Sequence, residues 1–506
     1  MMFRIFGPPG TGKTTTLINM VDKALDSGIL STQIAFLAFT RKAANEAKQR
    51  ASERFDLDPR EDLPYFRTLH SLALSMSDIK SSQVIQKEHY DEFSKIIGMY
   101  FKGKSIDMDP EDISECNPTD HPIFGLINLA RLRKVSLRDQ YNESNIDFPW
   151  NTINYVDNCF TKYKNQYNLY DFTDMLEEFI KNSKTYCPSF KITFLDEAQD
   201  LSPLQWDIAH ILDEKSEKMY AAGDDDQAIY RWAGADVDHF IGLEGSSETL
   251  SQSYRVPSAI HNVAESIVGR IRNRYPKKYN PRDVKGNVQH ITTLSDIPMD
   301  EGSWLILSQA AYNLNPVASD LRTSGYLFNN KGHRSISERI SSAVNGWERL
   351  RKGRKIPLED VKNIYSYMSS GARVKRGFKR LIGANADDVF SMSDLQQYHG
   401  LLVGDELIWH KAMDKLPDED RAYITKMLKR GEKFNGIPRI TISTIHGAKG
   451  GEADNVVLFT DLSPAADDSM SLNGDDMHRV FYVGVTRAKQ NLFILEADDL
   501  SLSYNL

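Results

Sequence analysis

Short runs of β-branched and aromatic residues recur along the chain, and each run ends in polar residues or glycine. Runs of this kind are typical of strands buried in a parallel sheet. We predict such strands at Ile34–Phe39, Ile192–Leu195, Lys218–Ala222, Ser303–Leu307, Ile440–Ser443, Asn455–Phe459 and Asn491–Leu495. Segments with helical spacing of apolar residues separate them, so the pattern predicts an α/β fold.

Two long segments lack strand-like runs and carry their apolar residues at helical spacing. They predict two α/β cores, each interrupted by a mostly helical insertion. The first core would comprise residues 1–76 and 166–255, with its insertion at 77–165. The second core would comprise residues 256–330 and 437–506, with its insertion at 331–436.

The composition mainly excludes other classes of protein. With 506 residues, of which 41% are hydrophobic and 26% charged, the chain has the composition of a folded protein of several domains. No apolar run approaches the roughly 18 residues of a membrane span, and no signal peptide fits before residue 7. Three scattered cysteines favour a reducing cytoplasm. Since the net charge is −8, any binding of nucleic acid must depend on local patches.

A glycine-rich loop follows the apolar strand Phe3–Phe6 and precedes a helix. Strand, loop and helix in this order are the context of a phosphate-binding P-loop, in which backbone N–H groups and the helix N-terminus hold the anion. Lys13 would reach the β- and γ-phosphates of ATP, and Thr14 would ligate Mg²⁺. The loop residues that we expect to bind the nucleotide are Gly7, Pro8, Pro9, Gly10, Thr11, Gly12, Lys13, Thr14 and Thr15.

Two adjacent acids, Asp196 and Glu197, end the predicted strand Ile192–Leu195. Asp196 suits the magnesium shell together with Thr14, and Glu197 is a candidate general base for the attacking water. Paired acids after a strand are often only the cap of a helix. The P-loop upstream favours the catalytic interpretation.

Further motifs narrow the class of ATPase. In chain order they are Phe39–Ala44, Thr68–Ser71, Asp171–Leu176, Asp196–Asp200, Gly223–Ala235, Leu250–Arg255, Thr444–Glu452 and Tyr482–Ala488. They closely resemble the motifs of superfamily 1A DNA helicases of the UvrD/Rep/PcrA type, and the match runs from residue 7 to about 495. The resemblance implies two RecA-like parallel-sheet cores (1A and 2A), with helical insertions (1B and a reduced 2B).

The resemblance also implies roles around ATP. Gln227 would sense the γ-phosphate and its water. Arg255 and Arg487 would be arginine fingers from the second core, which neutralise charge in the transition state. Tyr254 would stack on the base and Glu452 would bind the ribose. The alternatives are a structural salt bridge for either arginine and core packing for Tyr254.

For DNA, the resemblance gives Phe39, His70, Tyr230 and Trp232 as candidates for stacking or backbone contact. Thr40, Arg41 and His446 would contact phosphates. Taken singly, a tryptophan such as Trp232 is more often a core residue, and His70 is also interpretable as a core histidine. Two basic clusters are candidate duplex contacts or simply solvated faces. They are Arg270, Arg272, Arg274, Lys277, Lys278, Arg282 and Lys285, and Arg349, Arg351, Lys352, Arg354 and Lys355.

The chain departs from the family pattern at two informative places. The family carries an adenine-reading glutamine motif some 20 residues before the P-loop, and this sequence has six residues there. We therefore expect looser selectivity between ATP and GTP than in the family. Ala233 follows Trp232 where the family usually has arginine, which removes one expected phosphate contact.

The sequence thus predicts an ATP-dependent translocase on single-stranded DNA and a DNA helicase of 3′→5′ direction, hydrolysing ATP to ADP and phosphate. Its partners would be single-stranded DNA and single-strand/duplex junctions. We expect a monomer or weak self-association, in the cytoplasm of a bacterium or of a phage-infected host. The alternatives are a translocase that remodels protein–DNA complexes or acts only within a larger assembly, a DNA-binding scaffold with a relic ATPase fold, and a P-loop kinase or 5′→3′ relative.

Overall fold

The computed structural model of the chain describes residues 2–38, 41–101, 119, 121–381 and 383–506. The chain forms two compact units. One comprises Met1–Lys285 and Ser469–Thr486, and the other comprises Gly286–Asp468 and Arg487–Leu506. Across the described residues, no helix combines the length and apolar character needed to cross a membrane.

The first unit is built on a six-stranded parallel sheet in the order β3-β2-β4-β5-β1-β6. Its strands are β1 (Met2–Phe6), β2 (Ile34–Ala38), β3 (Phe66–Thr68), β4 (Phe190–Leu195), β5 (Ser216–Gly223) and β6 (Ser247–Thr249). Two further strands, β7 (Gln252–Pro257) and β8 (Asn280–Arg282), pair in parallel beside it. Because the strands of the main sheet are parallel, the loops after β1, β4 and β5 leave from the same edge, where open α/β sheets bind ligands.

Helices cover the faces of this sheet and form the segment between β3 and β4. In chain order they are α1 (Lys13–Asp26), α2 (Arg41–Phe55), α3 (Leu69–Ser75), α4 (Lys87–Ile97), α5 (Pro122–Arg133), α6 (Leu137–Glu143), α7 (Trp150–Tyr167), α8 (Phe172–Tyr186), α9 (Pro203–Glu214), α10 (Val237–Gly242) and α11 (Ser258–Val268). Helix α19 (Asp475–Val485) also belongs to this unit. The sheet has an apolar core on each face, and the first face includes Phe6 and Leu195 while the second includes Ile5 and Phe194.

The helical segment α4–α7 has an apolar core of its own, in which the aromatic rings of Phe93, Phe124 and Phe160 contact one another. An ionic cluster joins this segment to α8. Arg131 of α5 lies 2.9 Å from Asp171 and 2.6 Å from Asp174. Lys164 of α7 lies 2.5 and 2.6 Å from the same two carboxylates. The motif Asp171–Leu176 therefore anchors the helical segment to the core.

The second unit is built on a seven-stranded sheet in the order β12-β11-β15-β10-β16-β17-β9, parallel except for the hairpin β11-β12. Its strands are β9 (Asn287–Ile291), β10 (Trp304–Ser308), β11 (Phe328–Asn330), β12 (His333–Arg334), β15 (Ile440–Thr444), β16 (Ala453–Phe459) and β17 (Ala488–Leu495), with β13 (Ile356–Pro357) and β14 (Val389–Phe390) as a separate antiparallel pair. Its helices are α12 (Leu314–Ser324), α13 (Glu338–Arg351), α14 (Leu358–Ser366), α15 (Met392–Tyr398), α16 (Trp409–Ala412) and α17 (Asp418–Lys429). Helix α18 (Pro464–Leu472) crosses the point where the chain passes between the units.

All predicted strands are confirmed, with ends that agree to within three residues, although Phe39 lies outside the described residues. Short strands such as β3 and β6 were not predicted, because three residues at a sheet edge carry no recognisable apolar run. The units also divide the chain differently from the predicted cores. Residues 256–285 lie with the first unit, since β8 pairs with β7 and the segment between them pairs with acids that follow β5. The boundaries of the four subdomains remain a prediction.

Candidate active site

The P-loop connects β1 to α1 through backbone conformations that favour glycine. Gly10 and Gly12 have φ values of 71° and 76°, in the left-handed region that side chains disfavour. The Gly7 N–H donates to the Gly223 carbonyl at 2.9 Å, which ties the loop to the end of β5. A Cβ on Gly10 would lie 2.3 Å from the Cβ of Arg255, so only glycine fits at this position.

Four side chains with predicted roles in ATP hydrolysis lie together near the ends of β1 and β4. Lys13 is expected to bind phosphate, Thr14 and Asp196 to bind Mg²⁺, and Glu197 to act as the base. The Thr14 hydroxyl donates to Asp196 Oδ2 at 2.7 Å. Lys13 Nζ lies 2.7 Å from Glu197 Oε1 and 3.8 Å from Asp196 Oδ1. Burial alone would lower the pKa of the Lys13 ammonium, but these two carboxylates raise it above its ordinary value. Burial raises the pKa of Asp196, with the Glu197 charge adding to it.

Glu197 stands in an unusual backbone conformation, with a φ of 56°. Non-glycine residues populate this region rarely, and holding one there costs about 1–3 kcal/mol. The buried Gln199 fixes its side chain by donating from Nε2 to Glu197 Oε2 at 2.5 Å, while Gln199 Oε1 accepts from the Asp224 N–H at 2.9 Å. Gln199 therefore sets the position of Glu197 relative to the turn after β5. The sequence alone predicts no role for Gln199, although Gln199 lies within the motif that contains both acids.

Gln227 lies in the short 3₁₀ turn Asp225–Gln227 that follows β5. Its Nε2 donates to Asp224 Oδ2 at 2.5 Å. Because a carboxylate can only accept, this contact fixes which end of the Gln227 amide faces Asp224. The expected γ-phosphate sensor is thus oriented by a fully buried carboxylate.

Strand β7 brings Tyr254 and Arg255 against the P-loop. Ser253 Oγ donates to the Pro9 carbonyl at 2.7 Å, and the Tyr254 N–H donates to the Gly10 carbonyl at 2.8 Å. Arg255 therefore lies in the unit that contains the P-loop, and its role as an arginine finger from the second core remains a prediction. Tyr254 is 71% exposed, so its alternative interpretation as a core residue is wrong.

Three predicted site residues lie in the second unit, around the turns that follow β15 and precede β17. Arg487 is buried and donates from Nη1 to the Gly451 carbonyl at 3.2 Å, next to Glu452. Lys489 lies 3.6 Å from the Glu452 carboxylate. His446 is half-buried in the turn after β15, and its carbonyl accepts from the Lys449 N–H at 3.2 Å.

Three predicted DNA contacts of the first unit, His70, Tyr230 and Trp232, have exposed or half-exposed side chains. Trp232 is 66% exposed and its ring lies 6.4 Å from that of Tyr230, so its alternative interpretation as a core residue is wrong. Burial lowers the pKa of His70 to about 4, which makes its imidazole neutral at pH 7. Phe39 and Thr40 lie outside the described residues, and of Arg41 only its place at the start of α2 is described.

The basic cluster of residues 270–285 is not simply a solvated face. Arg274 and Lys277 are paired with the acids that follow β5, at distances of 2.6–3.1 Å. Lys278 is exposed. In the second cluster, Lys352 and Arg354 are also exposed. The sequence could not distinguish the buried members of the first cluster from the exposed ones.

The oxygen atoms of Thr14 and Asp196 fit Mg²⁺, which binds through one or two protein oxygens together with substrate phosphates and water. The Thr14 hydroxyl oxygen and Asp196 Oδ2 lie 2.7 Å apart. Among the described residues, no group of three or more His, Cys, Asp or Glu side chains is arranged to hold a metal.

Comparisons with known proteins agree with the resemblance seen in the motifs. Residues 2–247 match the UvrD/REP helicase N-terminal domain, and residues 419–498 match the UvrD-like helicase C-terminal domain. The ATP-dependent DNA helicase PcrA of Bacillus subtilis is 22% identical over 608 aligned positions, which cover 96% of this chain and 80% of that protein. A probable DNA helicase II homolog of Rickettsia felis is 23% identical, with 98% and 90% covered. The chain spans a smaller part of other relatives. The PcrA of Leuconostoc citreum is 23% identical, and the alignment covers 56% of this chain and 39% of that protein. Two more relatives are covered over 53–56% of their length.

Proposed function

This chain belongs to the UvrD/REP helicase family, and from that premise we propose that it is an ATP-dependent translocase on single-stranded DNA that unwinds duplexes in the 3′→5′ direction. The observation that carries the proposal is the convergence at one edge of the first sheet. Thr14 lies 2.7 Å from Asp196, and Lys13 lies 2.7 Å from Glu197. These are the groups that ATP hydrolysis requires, at hydrogen-bond distance from one another.

In the proposed reaction, Lys13 and the backbone N–H groups of the P-loop hold the phosphates. The oxygen of a water molecule attacks the γ-phosphorus, the bond from that phosphorus to the β–γ bridging oxygen breaks, and Glu197 accepts the proton of the water. ADP and phosphate are the products. When bound by Thr14 and Asp196, Mg²⁺ supplies neutralisation of the phosphate charge.

Gln227 orients the attacking water in this proposal, as its position next to Asp224 allows. Arg255 contributes positive charge from the P-loop unit. Arg487 contributes it from the second unit, where its neighbour Glu452 would hold the ribose. Guanidinium groups in such positions stabilise the negative charge that develops on the transferred phosphoryl group.

The proposed partner is single-stranded DNA and its junction with duplex. Trp232 and Tyr230 offer exposed or half-exposed rings on which bases of any sequence can stack, as a translocase needs. His70, neutral at pH 7, would contribute a ring face or a hydrogen bond rather than a positive charge. His446 would contact a phosphate from the second unit. We also propose the four-subdomain organisation, with boundaries at 76/77, 165/166, 255/256, 330/331 and 436/437.

The experiment that tests the proposal compares ATP hydrolysis with and without single-stranded DNA, and then unwinding of 3′-tailed and 5′-tailed duplexes. We expect DNA-stimulated release of phosphate and unwinding of the 3′-tailed substrate alone. Lys13→Ala is the negative control, since it removes the phosphate contact. DNA-stimulated hydrolysis without unwinding would favour the alternative translocase that remodels protein–DNA complexes, and the absence of any hydrolysis would contradict both.

A further inference from the structure

The turn after β5 buries three consecutive carboxylates. Asp224, Asp225 and Asp226 are each at most 1% exposed. Like charges packed together in a protein interior repel one another and are costly to desolvate. Such a turn needs positive charge from elsewhere in the fold.

A single lysine, Lys277, meets all three acids. Its Nζ lies 3.1 Å from Asp224 Oδ1, 2.6 Å from Asp225 Oδ1 and 2.6 Å from Asp226 Oδ2. An ammonium group has three hydrogens, and here it has one carboxylate oxygen for each. The Lys277 side chain is only 1% exposed. Burial lowers its pKa and the three carboxylates raise it, with a net rise that keeps Lys277 a cation at neutral pH.

Two further contacts, from Arg274 and from the Tyr275 N–H, make the surroundings of the three carboxylates unequal. Arg274 binds Asp226 through two parallel contacts, of 2.8 Å from Nε and 2.7 Å from Nη2. The backbone N–H of Tyr275 donates to Asp225 Oδ2 at 2.7 Å. The Asp224 carboxylate lies between the Lys277 ammonium and the Gln227 amide. One oxygen of Asp224 faces Lys277 and the other accepts from Gln227 Nε2.

We propose that Lys277 is a positioning residue for ATP hydrolysis, which acts on Gln227 through Asp224; the inference rests on the proposed function. Lys277 holds the Asp224 carboxylate at one oxygen, so that the other oxygen keeps the Gln227 amide in one orientation. Lys277 also neutralises the Asp224 carboxylate, which is hydrogen-bonded to Gln227, the proposed neighbour of the γ-phosphate. Without this charge, Asp224 would repel the triphosphate and move with the rest of the acidic turn.

Two further contacts couple Lys277 to the start of the P-loop. Its Nζ lies 5.9 Å from the ring centroid of Phe6, the last residue of β1, and Phe6 stacks on Tyr275 with centroids 3.9 Å apart. The segment that supplies the cation is therefore packed against the strand that leads into the phosphate loop. This packing gives Lys277 little freedom to follow a turn that moves.

The test must separate positioning from stability, because Lys277→Met alone leaves three buried carboxylates with one cation fewer. The double variant Lys277→Met/Asp225→Asn removes one charge of each sign, and an asparagine at position 225 can still accept from the Tyr275 N–H. Asp225→Asn alone is its reference, and Lys184→Met, an exposed lysine on α8, is the matched control. Each variant is compared with wild type in melting temperature and in the kcat and KM of DNA-stimulated ATP hydrolysis.

We expect the double variant to melt within a few degrees of wild type and to lose kcat by at least about tenfold, with KM changed by less than about threefold. Asp225→Asn and Lys184→Met should stay within about twofold of wild type in kcat. Gln227→Ala closes a double-mutant cycle. If Lys277 acts through Gln227, adding Gln227→Ala to the double variant should lower kcat by less than about threefold more.

Three results would overturn the inference. The first is that the double variant keeps the kcat of wild type. The second is that the effects of the double variant and of Gln227→Ala on kcat multiply independently, and the third is that both Lys277 variants fail to fold, which would make Lys277 a residue of the fold alone. If instead wild type shows no DNA-stimulated hydrolysis, the proposed function itself fails and the role of Lys277 falls with it. Wild-type activity therefore distinguishes the two failures.

Discussion

The two parallel sheets of this chain differ at the edge where their strands end. In the first unit, β1, β4 and β5 lead into the P-loop, the acids Asp196 and Glu197, and the turn that contains Gln227. In the second unit, the inner strand β10 leads into Gln309 and continues to α12 without a glycine. Strands β1 and β10 therefore lead into loops of different composition, one with three glycines and Lys13 and the other without glycine.

This difference shows that the sheet supplies a scaffold and that the loops supply the chemistry. The second unit contributes side chains of another kind, a buried arginine and an exposed glutamate on the turns near β16 and β17. The proposed function therefore implies a division of labour, in which the first unit would hold and hydrolyse the nucleotide and Arg487 of the second unit would supply positive charge.

The largest expected effect tests the contribution of the second unit. Arg487→Ala should lower the DNA-stimulated kcat by about 10²–10⁵-fold, because an arginine that neutralises transition-state charge acts mainly on turnover. Steady-state phosphate release measures it, with Arg439→Ala, an arginine of the same unit paired with Glu432 at 2.8 Å, as control. Arg255→Ala should show a similar loss from the first unit.

Because Arg487 is buried, the melting temperature of each variant is measured in parallel. An effect of Arg487→Ala on KM alone would assign Arg487 to ground-state phosphate binding. The division of labour between the units would then need revision.

The next effect tests the first unit. Glu197→Gln keeps the size of the side chain and removes its capacity to accept a proton, so kcat should fall by about 10²–10⁴-fold. Binding of ATP and of single-stranded DNA should change little, as measured by equilibrium titration. Glu214→Gln, an exposed acid at the end of α9, should leave turnover unchanged. Hydrolysis within a fewfold of wild type would show that another group is the base.

A smaller effect tests the backbone of the P-loop. Gly10→Ala should weaken ATP binding by at least about tenfold, since a left-handed φ alone costs about 1–3 kcal/mol and the new Cβ would lie 2.3 Å from that of Arg255. Gly28→Ala is the matched control, with a φ of 87° and open space around its Cβ position. Titration with a fluorescent nucleotide measures both. Equal losses of affinity would mean that the Arg255 contact does not matter.

The smallest effect concerns DNA. Trp232→Ala should weaken binding of single-stranded DNA by about 1–3 kcal/mol, or about 5–150-fold, for any base sequence. Fluorescence anisotropy with labelled oligonucleotides measures it, and Tyr155→Ala, an exposed aromatic of α7, is the control. Unchanged DNA binding would remove Trp232 from the proposed contact surface.

The parts of the site that the sequence predicted are those encoded by neighbouring residues. The P-loop needs glycines and a lysine at fixed spacing between a strand and a helix, and Asp196 and Glu197 directly follow a buried strand. Both patterns are local, so they can be read without knowledge of the tertiary fold. The strands themselves were predicted for the same reason.

The parts that the sequence did not predict depend on contacts between distant segments. Lys277 and Arg274 pair with acids about 50 positions earlier in the chain. A basic run has the same appearance whether its members face water or a buried carboxylate. The contact of β7 with the P-loop, which places Arg255 there, is likewise encoded by no local pattern.

The separate aromatic core of α4–α7 has a consequence for how the molecule opens. A segment with its own apolar core can unfold as a cooperative unit while the rest of the protein stays native. Amide protons of α5 and α7 should then exchange with solvent as a group, at a free energy distinct from that of β1 and β4. The Arg131 and Lys164 contacts with Asp171 and Asp174 set this difference, because they must break before the helical segment leaves the sheet.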